Sequence, residues 1–346
     1  MSNFIEEDCS TILNDFSHIS FSGKRILITG STGQIGSYFI VFFHLLKKFY
    51  PDLVIDAFFS TSIPSHLLQY QSSINFINVD LSRANAKRLR NRYDYIIYGA
   101  GYGQPVKFTQ NKEATFLINS IGLINQLSLL NEQGKFIFLS TSEVYADNEV
   151  EFQTEKDVIF LNPNSSRSSY VVSKLFGEEV IKHYSIENNN FKIARVCLAY
   201  GPGTKATDTR VLNELIKQGI QSKKIKLLDF GLATRTYCYV LDSLKMLLSI
   251  LFEGKSTVYN VGNPTSVTIL QLANIIGKNC GISEIDLPNS RFKAVPDVRT
   301  QSPQRVSIKI DKFINEFGLP NFKSINDGIL RTVDWQRSNL YRGDLI

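Results

Sequence analysis

The short apolar run Arg25-Ile-Leu-Ile-Thr29 stops at three glycines spaced three apart, Gly30-x-x-Gly33-x-x-Gly36. Apolar residues resume behind them as Tyr38-Phe-Ile-Val-Phe-Phe43. An apolar run that ends at a glycine reads as a buried parallel strand, and the stretch behind it as a helix. The first glycine permits a tight turn, the second lets backbone approach a pyrophosphate, and the third lets helix and strand pack closely. The N–H groups that open the helix, at Gln34, Ile35 and Gly36, then face that anion. Three glycines alone also fit a plain turn, so the reading depends on the downstream sequence.

The downstream sequence alternates. Strand-like runs recur at Leu53–Phe59, Ile74–Ser82, Tyr93–Gly101, Gly134–Tyr145 and Phe191–Gly203, with helical stretches at Lys112–Asn131 and Tyr170–Ile186. That order predicts an α/β fold, a Rossmann-like doubly wound parallel sheet. Asp56 stands twenty residues after Gly36. There it is expected to accept both hydroxyls of an adenosine ribose, which favours NAD over its 2′-phosphorylated form; a strand-end aspartate is the alternative. Asp80 and Leu81 fall where the adenine would lie, and Gly99 and Ala100 are small enough to let the cofactor approach. We expect residues 22–203 to form mainly the NAD-binding domain. A smaller substrate-binding lobe is placed at 204–235 and 264–310. Residues 236–263 return to the main domain, 311–346 are a C-terminal helical region, and 1–21 are an extension.

A chemical constellation sits on this frame. The fifth strand ends in Thr141-Ser142-Glu143, and Tyr170 and Lys174 come later, four apart, on one helix face. An ammonium beside a phenol would lower the tyrosine pKa from its free value of about 10. A phenolate can take a proton from a sugar hydroxyl while hydride leaves the same carbon for NAD. Lys174 can also hold the nicotinamide ribose. Thr141 and Ser142 can orient the reacting oxygen, and Glu143 adds an acid–base group that simple hydride transfer does not need. Tyr-x-x-x-Lys alone is common on helices; the order of the pieces carries the reading.

The 346 residues include 38 Lys and Arg against 32 Asp and Glu, a net +6 without any long basic tract. That argues for anionic small molecules rather than nucleic acid. Cys9, Cys197, Cys238 and Cys280 are scattered, which points to a reducing compartment, the cytoplasm, and no thiolate metal cluster. His18, His44, His66 and His183 lack ligand spacing, so no metal is expected. The run Tyr38–Leu46 is too short to span a bilayer, and the polar N-terminus does not resemble a signal peptide.

From about Lys24 to Trp335 the chain resembles the extended short-chain dehydrogenase/reductase family of NAD-dependent nucleotide-sugar epimerases, dehydratases and decarboxylases. It is most similar there to the UDP-glucuronate decarboxylase type. The stretches "IDAFFSTS", "GAGYGQPVKFTQN", "STSEVYAD", "AYGPG", "TDTRVLNELI" and "LATRTYCYVLD" carry the likeness. The resemblance implies a redox core of Thr141, Tyr170 and Lys174, and an acid–base role for Glu143. It also implies a nucleotide diphosphate held by Arg235 and Arg305, substrate contacts at Pro105 and Arg210, and a homodimer built on the two long helices. The implied reaction passes through a 4-keto sugar to decarboxylation or 4,6-dehydration. A 4-epimerase, a keto-sugar oxidoreductase and a non-catalytic nucleotide sensor are the alternatives. Three departures stand out. Leu198 replaces the asparagine of typical relatives and cannot donate its hydrogen bond. Gly99-Ala100-Gly101-Tyr102 replaces a His-Leu-Ala-Cys type loop. Thr61-Ser62-Ile63 lacks the usual Gly-Arg.

Overall fold

The structure, a computed structural model, describes residues 3–83, 91–146, 148, 150–205, 207–288 and 304–340. Its strands, in chain order, are β1 (Arg25–Thr29), β2 (Val54–Phe59), β3 (Asn75–Asn78), β4 (Tyr93–Tyr98), β5 (Leu130–Thr141), β6 (Phe191–Val196), β7 (Leu198–Tyr200), β8 (Ile225–Lys226), β9 (Thr234–Tyr239), β10 (Val258–Val261), β11 (Ser266–Thr268), β12 (Ile285–Asp286) and β13 (Arg305–Val306). Seven of them form one parallel sheet in the order β10-β6-β5-β4-β1-β2-β3. The winding reverses between β1 and β4. A doubly wound sheet leaves its ligand crevice at that switch point, at the carboxyl ends of the strands.

The central strand is apolar because both faces are covered: Ile26, Leu27 and Ile28 are fully buried. Helix Gln34–Leu46 comes directly after the glycine turn, and Tyr38 to Phe43 are buried in an unbroken run. Its hydrophobicity is thus that of a core helix. No helix among the described residues is long and apolar enough to cross a membrane.

Two expected strands are differently cut. β5 begins at Leu130 and ends at Thr141, and Ser142–Tyr145 form a 3-10 turn. The apolar run from Phe191 breaks at Cys197, whose N–H still bonds Val261 O in the main sheet. The next residues, β7, pair instead with β9 in a second sheet that also holds β11 and β13. The long helix expected from Lys112 ends at Leu127 and contains a π turn at Ile118–Gly122. A Cβ at Gly122 would lie 2.6 Å from Leu81 O, so this turn presses on the β3 end.

The segment before β1 belongs to the core. Helix Phe4–Ser10 packs on helix Gln34–Leu46, and Ile5, Cys9, Ile12, Phe16 and Phe21 are buried. Buried Asp8 accepts hydrogen bonds from Tyr38 (2.7 Å) and Tyr239 (2.6 Å) and pairs with Arg331 (2.9 Å) in the last helix, Ile325–Leu340.

Candidate active site

The glycine turn closes as its sequence requires. Gly30 has φ +66°, and a Cβ there would strike the Gly99 carbonyl. A Cβ at Gly36 would strike the Gly30 carbonyl. Gly33 caps the helix with extended backbone and no side-chain partner, leaving the Gln34, Ile35 and Gly36 end of the helix facing the crevice. The Gln34 side chain turns away, donating to Gly201 O (2.7 Å) and Thr204 Oγ1 (2.8 Å). Gly99 N and Ala100 N donate to Thr29 Oγ1, which holds the loop after β4 against the turn. A backbone cradle that side chains would fill, beside unpaired helix N–H groups, fits the diphosphate of a dinucleotide.

Asp56 does not serve this cradle. It is fully buried, and its Oδ2 accepts from Arg25 Nε (3.0 Å), Arg25 Nη2 (2.9 Å) and Tyr93 OH (2.8 Å), while Oδ1 accepts from Asn75 (2.8 Å). The reason is register. Thr29 at the end of β1 lies opposite Phe58, so Asp56 lies two residues short of the strand end that borders the glycines. The ribose role expected for it is corrected to a core ion pair. Asp80 stands at the end of β3, half-exposed, accepting from Ser82 N, Ser82 Oγ and Arg83; these contacts, Ser82 foremost, pull its pKa below the usual value.

On the other side of the crevice, Thr141, Ser142, Tyr170 and Lys174 are all buried. Thr141 accepts from Glu143 N (3.2 Å) and hydrogen-bonds the Tyr170 phenol. The Tyr170 ring stacks flat on Phe108, with centroids 4.3 Å apart and planes within 6°. Phe108 is carried on the short helix Pro105–Gln110, which Pro105 opens. Lys174 donates to Leu139 O (2.9 Å), and its Nζ lies 3.7 Å from where a Gly101 Cβ would stand. The ammonium is therefore under the loop that connects to β4.

The electrostatics differ from the expectation that Lys174 lowers the Tyr170 pKa. Burial, then the charge of Glu143, push the phenol well above its ordinary value, while Thr141, Arg210 and Arg167 pull it back. Lys174 is itself lowered to about 8, by burial, against the pull of Glu178. The positive charges acting on Tyr170 are thus arginines. Arg167 stands three residues ahead of Tyr170 and holds Glu143 Oε1 at 2.7 Å. Sequence reasoning passed over it, although i,i+3 spacing on one helix was the available signal.

Arg210 is ion-paired to Asp208 (2.6 Å) and acts electrostatically on both Tyr170 and Tyr237. Arg235 is buried, donates to Thr234 O (2.7 Å), and feels Tyr237 and Glu143. Arg305 departs from this group. It pairs in register with Thr234, which puts its side chain on the sheet face opposite Arg235. It is half-exposed, with Glu151 3.8 Å away. The structure therefore brings Arg167, Arg210 and Arg235 to the Tyr170 side and leaves Arg305 outside. Four buried polar atoms near these residues have no hydrogen-bond partner among the described residues: Glu143 Oε2, Ser166 Oγ, Ser169 Oγ and Tyr237 OH. Buried polar groups are ordinarily paired, so these mark where a polar ligand would sit.

A glycine cradle at a switch point, joined to a Thr-Tyr-Lys set across the crevice, defines a dinucleotide-dependent oxidoreductase fold of the short-chain type. The chain belongs to the NAD dependent epimerase/dehydratase family, whose sequence profile matches residues 26–262. It is similar to UDP-glucuronic acid decarboxylase 1 of Xenopus tropicalis, with 29% identity covering 92% of this chain and 73% of that protein. UDP-glucuronic acid decarboxylase 6 of Arabidopsis thaliana is 30% identical over 82% of this chain and 80% of its own. In fold it is similar to DesIV, a dTDP-glucose 4,6-dehydratase from Streptomyces venezuelae solved with NAD, at a TM-score of 0.76 and 23% identity, covering 92% of this chain and 98% of that one. The UDP-glucose 4-epimerase of Thermotoga maritima gives a TM-score of 0.75 at 19% identity, with 91% and 99% covered.

Proposed function

We propose that the chain is an NAD-dependent nucleotide-sugar decarboxylase of the UDP-glucuronate type, acting through a 4-keto sugar. The observation that carries this reading is the charged cluster beside Tyr170, in which Arg210 and Arg167 act on the phenol, Arg235 acts on Glu143, and Arg167 holds Glu143 Oε1 at 2.7 Å. Guanidiniums suit the oxygens of a diphosphate and of a carboxylate on the sugar. A 4,6-dehydratase would use Glu143 to remove the C5 proton, and the product test below separates the two reactions.

In the reaction, Tyr170 takes the proton of the C4 hydroxyl, with Thr141 fixing the phenol. NAD, when bound, supplies the acceptor and later the donor of hydride at C4. The resulting ketone makes the C6 carboxylate a β-keto acid. The C5–C6 bond breaks, its electron pair passes toward the C4 oxygen, and carbon dioxide leaves; the pair then returns to C5, which takes up a proton from solvent and restores the C4 ketone. Tyr170, carrying its proton, donates to that oxygen as charge develops there. Lys174 would hold the nicotinamide ribose, and the glycine turn the diphosphate of the cofactor.

Residues 204–235 and 264–310 are proposed as the substrate lobe. A homodimer is proposed on helices 112–127 and 168–185, whose Phe116, Ile121, Ile124, Val172 and Phe176 are exposed together. All four cysteines are free thiols, which fits a cytoplasmic setting. The test is incubation of the enzyme with NAD and, separately, UDP-glucuronate, UDP-glucose and dTDP-glucose, then product NMR and carbon dioxide detection. Release of carbon dioxide with a UDP-pentose supports the proposal. A 4-keto-6-deoxy sugar or C4 inversion from a neutral hexose, without turnover of the uronate, refutes it.

A further inference from the structure

Leu198 opens β7, a strand of only three residues. In the parallel pair of β7 with β9, Leu198 lies directly opposite Tyr237. Register partners project to the same face of a sheet. The two side chains therefore share one wall of the site, the first with no polar atom and the second with a phenol.

Tyr237 is 5% exposed, and its hydroxyl is buried with no hydrogen-bond partner among the described residues. The ring is fixed edge-on against Tyr200, centroids 6.2 Å apart at 88°. Its charged neighbours are Arg235 and Arg210, and Arg210 also acts on Tyr170. A buried hydroxyl that finds no partner in the protein costs stability. One left without a partner on the site wall, with Arg235 and Arg210 as its charged neighbours, is placed to meet a bound anion.

We infer that the Tyr237 hydroxyl is a substrate-binding donor, giving its hydrogen bond from β9 to a phosphoryl oxygen of the sugar nucleotide's diphosphate, on a wall where the facing β7 residue, Leu198, offers no donor. Burial keeps the phenol protonated, the form that donates, although the two arginines pull the other way. The inference rests on the proposed nucleotide-sugar function and adds a specificity residue to it.

The test uses the NAD-loaded enzyme and UDP as probe, with dTDP, GDP and CDP in parallel, by titration calorimetry. Tyr237→Phe should weaken binding of the preferred diphosphate about ten- to a hundredfold, the effect of losing a donor to a charged acceptor. The same variant should melt at or above the wild-type temperature, because it removes an unpaired buried hydroxyl. This opposite movement of affinity and stability is what a structural hydroxyl would not produce. Adding Leu198→Asn to Tyr237→Phe should recover at least threefold of the lost affinity. Unchanged affinity in Tyr237→Phe overturns the inference while leaving the nucleotide-sugar reading intact, since the wild type binds. A drop in melting temperature overturns it too, because it shows that the hydroxyl has a partner within the protein. A wild type that binds none of the four diphosphates defeats the nucleotide-sugar reading and this inference with it.

Discussion

Replacing Lys174 with methionine should stabilise the protein while ending its activity. The ammonium is buried, and burial lowers its pKa from 10.5 to about 8. At ~1.4 kcal/mol per pKa unit, holding the proton in the folded state at pH 7 costs about 3 kcal/mol. Methionine removes that cost and keeps most of the apolar stem. It loses the hydrogen bond to Leu139 O and the contact with the Phe138 ring, whose centroid is 4.7 Å away, together worth ~2 kcal/mol. Glu178 keeps its partner, since Arg195 binds it at 2.6 Å. The net gain is about 1 kcal/mol at pH 7. The sign with pH comes from proton counts. Between pH 8 and 10.5 the unfolded lysine binds its proton and the folded one does not, so wild-type stability rises with pH over that range. The methionine variant has no such slope, so its advantage is largest below pH 8 and fades toward pH 10. Lys192, also lowered to about 8 by burial, contributes equally to both proteins and cancels. Urea unfolding monitored by fluorescence of the single tryptophan, Trp335, measures the difference; both proteins are stripped of cofactor so that ligand linkage does not enter. A variant less stable than wild type at pH 7, or a difference that does not shrink between pH 8 and 10, would refute the reasoning.

The same geometry sets other outcomes. Asp56→Ala should cost about 3 kcal/mol in urea unfolding, because it strands Arg25 and Tyr93, and should leave the NAD-to-NADP preference in titrations within about threefold. Tyr170→Phe should lower kcat by about a thousandfold or more while cofactor content, read by absorbance after denaturation, is retained. Glu143→Gln removes the charge that raises the Tyr170 phenol, so the acid limb of the kcat/KM profile should move to lower pH; a profile that moves up or stays put counts against the assigned coupling.

The glycine turn, the alternation of elements and the Thr141, Tyr170, Lys174 set were legible because each depends on local spacing. Gly30 and Gly36 cannot carry a Cβ where they stand, and that requirement is written in three letters of sequence. Asp56 was misjudged because a spacing count does not show how far a strand runs, and β2 continues to Phe59, three residues beyond it. The break at Cys197 was hidden since an apolar run looks the same whether its residues pair in one sheet or two. The Tyr170 and Lys174 shifts come from burial, a property of the assembled fold rather than of helical spacing. Tyr237 became visible only through its register with Leu198, which belongs to two strands from distant parts of the chain.

The cluster around Asp8 sets the order in which the molecule can be completed. Arg331 also reaches Glu7, 324 positions earlier, and the Asp8 carboxylate joins the opening helix to Tyr239, 231 positions later. During synthesis at ~5–20 residues per second the opening helix would wait for tens of seconds before its arginine emerges. Until then a buried acid lacks its counter-charge. The helix that carries Arg331 thus secures the opening one, and loss of this one arginine would loosen residues more than three hundred positions away.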